Sequence, residues 1–159
     1  MTQKNAGLSA AGAALILGFA LSGSPALAQT AAIQSQDINQ AGVVADLIEA
    51  KRSDGVLSIK IRLKNTGAKA ANVPFYNFTT LKIAAFYVQA ESKKYFVLRD
   101  TEKVPLATGE NNESFGASIA PGATFTWWAK YPAPPASVKK FNFYWPLGTP
   151  FDDVPIVDK

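Results

Sequence analysis

The chain contains no cysteine and no histidine among its 159 residues. Without histidine the commonest general base and the commonest transition-metal ligand are both missing. With cysteine absent as well, structural zinc sites, Ser-His-Asp triads and Cys-His pairs are excluded. No nucleophile-elbow pattern of the G-x-S-x-G type occurs either. Disulfides cannot staple the fold, so any stable domain rests on apolar burial, for which 48% hydrophobic residues suffice. No cofactor is implied.

Long apolar runs are also scarce. The main one, Leu15 to Leu21, follows a short segment bearing Lys4 and precedes Pro25-Ala26-Leu27-Ala28. A positive start, a short apolar centre and small residues at Ala26 and Ala28 describe a secretory signal peptide spanning 1–28. Cleavage is expected between Ala28 and Gln29. The run falls well short of the roughly 20 residues that cross a bilayer, so no membrane span is expected after processing. The expected location is the periplasm or the medium. Formal net charge is only +4 and Lys4 leaves with the leader, too mild a balance for a nucleic-acid binder.

What remains is patterned for strands. From Val56 to Asn65, Leu57, Ile59, Ile61 and Leu63 alternate with Ser58, Lys60, Arg62 and Lys64. A period of two puts the first set on a buried face and the second on an exposed one. Asp54-Gly55 and Asn65-Thr66-Gly67 bracket this strand with turn formers. Val43 to Lys51 reads as a preceding strand with an imperfect pattern, as at an edge or a bulge, and the two form a hairpin.

Residues 29–41 are polar and read as a flexible tail; 42–159 form the domain. Gly67 to Asn77 is small and polar, with Pro74 set to stop any ladder. Leu81 to Val88 and Tyr95 to Arg99 read as two strands around a polar tip at Glu91 to Lys94. Glu102 to Phe115 is a long loop. Ala123 to Tyr131 and Val138 to Trp145 are further strands, joined through Pro132-Ala133-Pro134-Pro135, and Val154 to Val157 is a short edge strand. No amphipathic helix is evident. About seven short strands with regular turn signals predict an all-β chain, an immunoglobulin-like antiparallel β-sandwich. An outer-membrane barrel, the competing all-β form, would want longer and more uniform strands.

Several stretches resemble a known group. The run V-L-S-I-K-I-R-L-K-N-T-G over Val56–Gly67 is similar to an early strand and turn of exported bacterial immunoglobulin-like domains, including telokin-like secreted antigens. Lys94–Asp100, Ile119–Gly122 and Tyr131–Pro135 resemble a later hairpin, a P-G turn and the penultimate strand of such domains. The resemblance implies an extracytoplasmic sandwich and brings no catalytic residues.

Two surface features carry the functional expectation. Lys60, Arg62 and Lys64 form a basic stripe that could hold an anionic envelope polymer, or simply keep an exposed strand soluble. Adjacent strand residues point to opposite faces, so Trp127 and Trp128 cannot share one side. Trp127 goes with apolar Phe125 and Ala129. Trp128 goes with Thr126 and Lys130 and should be partly exposed, with Tyr144 or Asn142 beside it if the next strand pairs there. The acidic loops around Asp100 to Glu113 and at Asp152-Asp153 lack calcium-site spacing and read as solvated charge. The expected role is non-enzymatic binding of a protein or cell-envelope partner. The alternatives are a carbohydrate-binding module using exposed aromatics and a carboxylate- or Ser/Lys-based hydrolase. Ile61→Asp should be damaging and Arg62→Asp nearly silent.

Overall fold

The computed structural model describes residues 30–77, 82–109 and 114–159. The segment 1–28 expected to be a signal peptide, with Ala28 and Gln29 at its expected cleavage site, lies outside the described residues. So do Leu81 and the loop positions 110–113.

The central hairpin forms as its pattern dictates. Strand β2 (Val43–Ser53) turns through Asp54-Gly55 into β3 (Val56–Asn65), pairing from Ser53↔Val56 to Val43↔Asn65. Both turn residues have positive φ, 52° and 76°, the requirement of a type I′ turn matched to strand twist. Leu57, Ile59, Ile61 and Leu63 are all fully buried, each contributing roughly 1.5–3 kcal/mol by leaving water.

A bulge between Leu47 and Glu49 interrupts β2. Val43, Ala45 and Leu47 face the core before it; Ala50 and Arg52 face the core after it. The expected bulge is present, but β2 is no edge. It lies between β3 and β1 (Gln34–Asp37), which the polar composition had assigned to a flexible tail. Those four residues pair in full register, from Gln34↔Leu47 to Asp37↔Val44, because the backbone supplies the ladder whatever the side chains.

The first sheet runs β1-β2-β3-β8, with β8 spanning Thr124–Pro132. The second runs β10-β9-β5-β6, where β5 is Tyr87–Ala90, β6 Lys93–Phe96, β9 Lys140–Tyr144 and β10 Phe151–Pro155. With β2, β3 and β8 as strands A, B and E, and β10, β9, β5 and β6 as G, F, C and C′, the two packed sheets follow the immunoglobulin-like sandwich order, except that among the described residues no strand D pairs with β8. A ribbon of β4 (Ala71–Tyr76) and β7 (Phe115–Ile119) closes one side. Past buried Ile156, β11 (Val157–Asp158) crosses to the first sheet and pairs parallel with β2 at Lys51 and Arg52.

Two further expectations are corrected. Pro74 does not exclude a strand: it sits in β4, whose only partner among the described residues is β7, and an edge strand can leave a missing N–H on its free side. Ile83–Ala85 is a 3₁₀ turn, so β5 begins only at Tyr87. Among the described residues no helix is long and apolar enough to cross a membrane.

Aromatic rings from both sheets fill the core. Trp127 stacks on Phe75 at 6.4 Å and meets Phe86 at 5.1 Å and Phe143 at 6.0 Å. Its indole N–H donates to the Tyr76 hydroxyl at 2.7 Å, which donates to the Thr108 carbonyl at 3.0 Å. Burial pushes the Tyr131 hydroxyl well above the usual phenol range, so it stays a neutral donor, reaching the Phe86 carbonyl at 3.4 Å. Antibody-type domains pin their sheets with a disulfide against a tryptophan of strand C. Here a tryptophan of strand E and a phenylalanine of strand F meet instead.

Candidate binding face

The outer face of the first sheet is built by the residues that alternate with the core set. Lys60 lies opposite Trp128, Arg62 opposite Thr126, and Lys64 opposite Thr124. The predicted stripe and Trp128 therefore share one surface.

Its charges are largely spent. Arg62 grips Asp46 with two bonds, Nε at 3.1 Å and Nη2 at 2.7 Å, and donates from Nη1 to the Thr30 carbonyl at 3.0 Å. Both side chains are mostly buried, at 12% and 15% exposure. Burial pushes the Asp46 carboxyl up, but hydrogen bonds from Ser35 and Arg62, with the charges of Arg62 and Lys64, hold it below its usual value. Lys60 pairs with Glu49 at 2.9 Å. Lys64 stays exposed. Ion pairing makes this face a mixed surface rather than a positive rail, and Arg62 part of the fold.

Trp128 is half-buried. It lines an open depression of about 370 Å³ with Glu49, Ser58, Lys60 and Lys130. The segment 98–108 holds the backbone there: the Trp128 N–H donates to Thr108 Oγ1 at 2.9 Å, and the Thr108 N–H returns to the Trp128 carbonyl at 2.8 Å. Leu98 and Leu106 bracket Lys130 in the same way, which covers the free edge of β8. The indoles of Trp127 and Trp145 donate to Tyr76 and to the Thr149 carbonyl. Among the described residues, that of Trp128 makes no hydrogen bond, and no aromatic ring packs on it. A half-buried ring on an anchored strand, with no hydrogen bond to its indole N–H among the described residues and two lysines and a carboxylate lining the same depression, is equipped to meet a ligand.

Tyr144 belongs elsewhere. Strand β9 pairs with β5 and β10, not with β8, so Tyr144 and Asn142 lie on the outer face of the second sheet, across the core from Trp128. The common platform expected from the sequence does not form. Tyr144 instead joins a row that sequence reasoning missed. Its ring stacks on Tyr87 at 4.8 Å with planes 7° apart, and Tyr87 meets Phe96 at 6.0 Å. A ring separation equal to the strand spacing means the two tyrosines stand upright, with faces turned to each other. Lys94 Nζ sits 4.4 Å from the Tyr87 ring centre. The row offers ring edges, plus Phe96 at 50% exposure.

Arg52 was also not anticipated. Its guanidinium is buried and bonds Asp158 at 2.6 Å and the carbonyls of Pro134, Pro135 and Val138 at 3.1, 2.6 and 3.0 Å. The proline-rich crossover and the C-terminal strand meet on this one side chain. The bulge in β2 was the signal: it shifts the alternation and turns Arg52 inward.

Among the described residues no group of three or more acidic side chains is placed to hold a metal ion. Asp100 spends its carboxylate on the N–H groups of Glu102 and Val104 at 2.9 and 2.8 Å. No family model, curated protein or solved structure matches this chain.

Proposed function

We propose that this protein is a non-enzymatic binding domain acting outside the cytoplasm, with the Trp128 depression as its contact for a protein or cell-envelope partner. The observation that carries the reading is the half-buried indole of Trp128, which makes no hydrogen bond among the described residues and lines a depression with Lys60, Lys130 and Glu49. Fixed aromatic side chains with an unused donor supply much of the energy in binding sites at little entropic cost. The leader-like N-terminus and the likeness of the strand and turn signatures to exported bacterial domains support the location.

A carbohydrate partner is the second reading. It is favoured by the uncovered indole and the neighbouring Ser58, Glu49 and Lys60, which offer donors and acceptors together. The upright tyrosines of the opposite sheet support it less, since Tyr87 and Tyr144 stack on each other and Lys94 sits over Tyr87.

The test is retention of the exported protein on envelope fractions and on purified envelope glycans. Trp128→Ala should reduce retention at least ~10-fold, the usual effect of a central contact residue. The urea midpoint should stay nearly unchanged. Equal retention by the variant would refute the site. Retention on glycan alone would select the second reading.

A further inference from the structure

The outer face of the second sheet carries charge at its two borders, an exposed lysine (Lys140) on β9 and rings along its length. Lys94 of β6 lies in register with Gln89 of β5, and Gln89 with Asn142 of β9. Asn142 Oδ1 accepts the Asp153 N–H of β10 at 2.9 Å. Phe151 and Val154 turn into the core on either side of the β10 bulge, leaving Asp152 and Asp153 exposed between them. One row thus runs from a cation to a pair of carboxylates, three strand spacings or roughly 14 Å apart. Among the described residues neither carboxylate has an ion-pair or side-chain hydrogen-bond partner. The parallel row is Phe96, Tyr87 and Tyr144.

We propose that this face binds a second copy of the same chain, about a twofold axis parallel to the strands and lying between β5 and β9. Such an axis lays β10 of one copy over β6 of the other. Lys94 then meets Asp152 and Asp153 of the second copy, and the Tyr87–Tyr144 pair meets its own equivalent. A self-complementary patch is what an isologous interface requires. A basic border and an acidic border at matched heights make the face complementary to itself. Strand addition at the sheet edge is disfavoured, because β6 presents Lys93 and Lys94 there, and Gln34 and Gln36 reach across to the Asp152 and Thr149 carbonyls at the other end. Four strands of four to five residues outline roughly 300 Å², small beside the ~800 Å² per partner of standard complexes. The dimer is therefore weak and salt-sensitive. It leaves the Trp128 face free and stands or falls independently of the function proposed for it.

Sedimentation velocity over a concentration series of the exported protein tests this. Wild type should dimerise reversibly, with a dissociation constant in the micromolar-to-millimolar range that rises with salt. Lys94→Glu should raise it at least ~10-fold, and so should Asp152→Lys combined with Asp153→Asn, which keeps a residue tolerant of the positive φ at 153. Each variant repels itself, yet an equimolar mixture should restore dimers. The carboxylate introduced at position 94 of one variant then faces the ammonium introduced at position 152 of the other. A monomer at all concentrations, a dimer indifferent to these changes, or a mixture that stays monomeric would each overturn the proposal. Unchanged urea midpoints confirm that the variants are folded.

Discussion

Asn65 shows how much one polar side chain settles when it is buried. Its Nδ2 donates to the Lys69 and Ile119 carbonyls, both at 2.8 Å, and its Oδ1 accepts the Gly67 N–H at 2.9 Å. The side chain thus shapes the turn after β3 and ties it to the end of β7. Asn65→Ala strands the buried Ile119 carbonyl and frees the turn at Lys69 and Gly67, so a loss of about 2–3 kcal/mol in urea unfolding is expected. Neighbouring positions test the faces of β3. Ile61→Asp buries an unpaired carboxylate and should cost several kcal/mol, a large share of a small domain's stability. Arg62→Asp, expected from the alternation alone to be nearly silent, places a carboxylate against Asp46 and removes a two-bond pair. A loss of about 1–3 kcal/mol should appear. An unchanged midpoint would show that the Asp46–Arg62 pair contributes nothing.

Elements depend on features that local patterning does not carry. The alternation of β3 was legible because the strand is regular and half-buried. Arg52 was not, because the bulge two turns of the pleat earlier reverses the inward set. Likewise β1 has no apolar signature; it is held by backbone pairing and by glutamine side chains, Gln34 on the Asp152 carbonyl and Gln36 on that of Thr149. The face holding Trp128 could be read from Thr126 and Lys130, but its separation from Tyr144 could not, since strand order is a long-range property. The Arg52 cluster has a consequence for the C-terminal element. Hydrogen bonds from Arg52, then Lys139, hold the Asp158 carboxyl at about 2, below its ordinary 3.8. A depressed carboxyl adds stability above its unfolded value, and that contribution fades as pH falls through the folded one. As pH falls from the ordinary 3.8 towards about 2, the hydrogen-exchange protection of the Ile156 and Lys159 amides, taken relative to their intrinsic exchange at each pH, should fall as β11 loosens, and Asp158→Asn should remove that dependence. Arg52→Lys should destabilise at every pH, because an ammonium cannot replace a fork directed at several carbonyls. A variant as stable as the parent would show the fork to be dispensable.

The whole molecule holds together without a covalent tie, so its cooperativity must come from shared packing. Trp127 belongs to the first sheet, but its ring meets Phe143 of the second, Phe75 of the β4–β7 ribbon and Phe86 before β5. The segment 98–108 is tied to this centre through Thr108, whose carbonyl accepts the Tyr76 hydroxyl while its own N–H bonds Trp128. The chain also passes from sheet to sheet at Pro132–Pro135 and at Ile156, and Arg52 links both crossings. No sheet can therefore separate without opening the ring cluster and stranding buried carbonyls. Urea unfolding should give one transition, with tryptophan fluorescence and far-ultraviolet circular dichroism sharing a midpoint and a slope of about 1–3 kcal/mol per molar. Trp127→Phe removes the indole donor and leaves the Tyr76 hydroxyl without it, so the common midpoint should fall while both signals still coincide. Divergent midpoints in the parent would mean that one sheet survives the loss of the other, and that the ring cluster does not couple them.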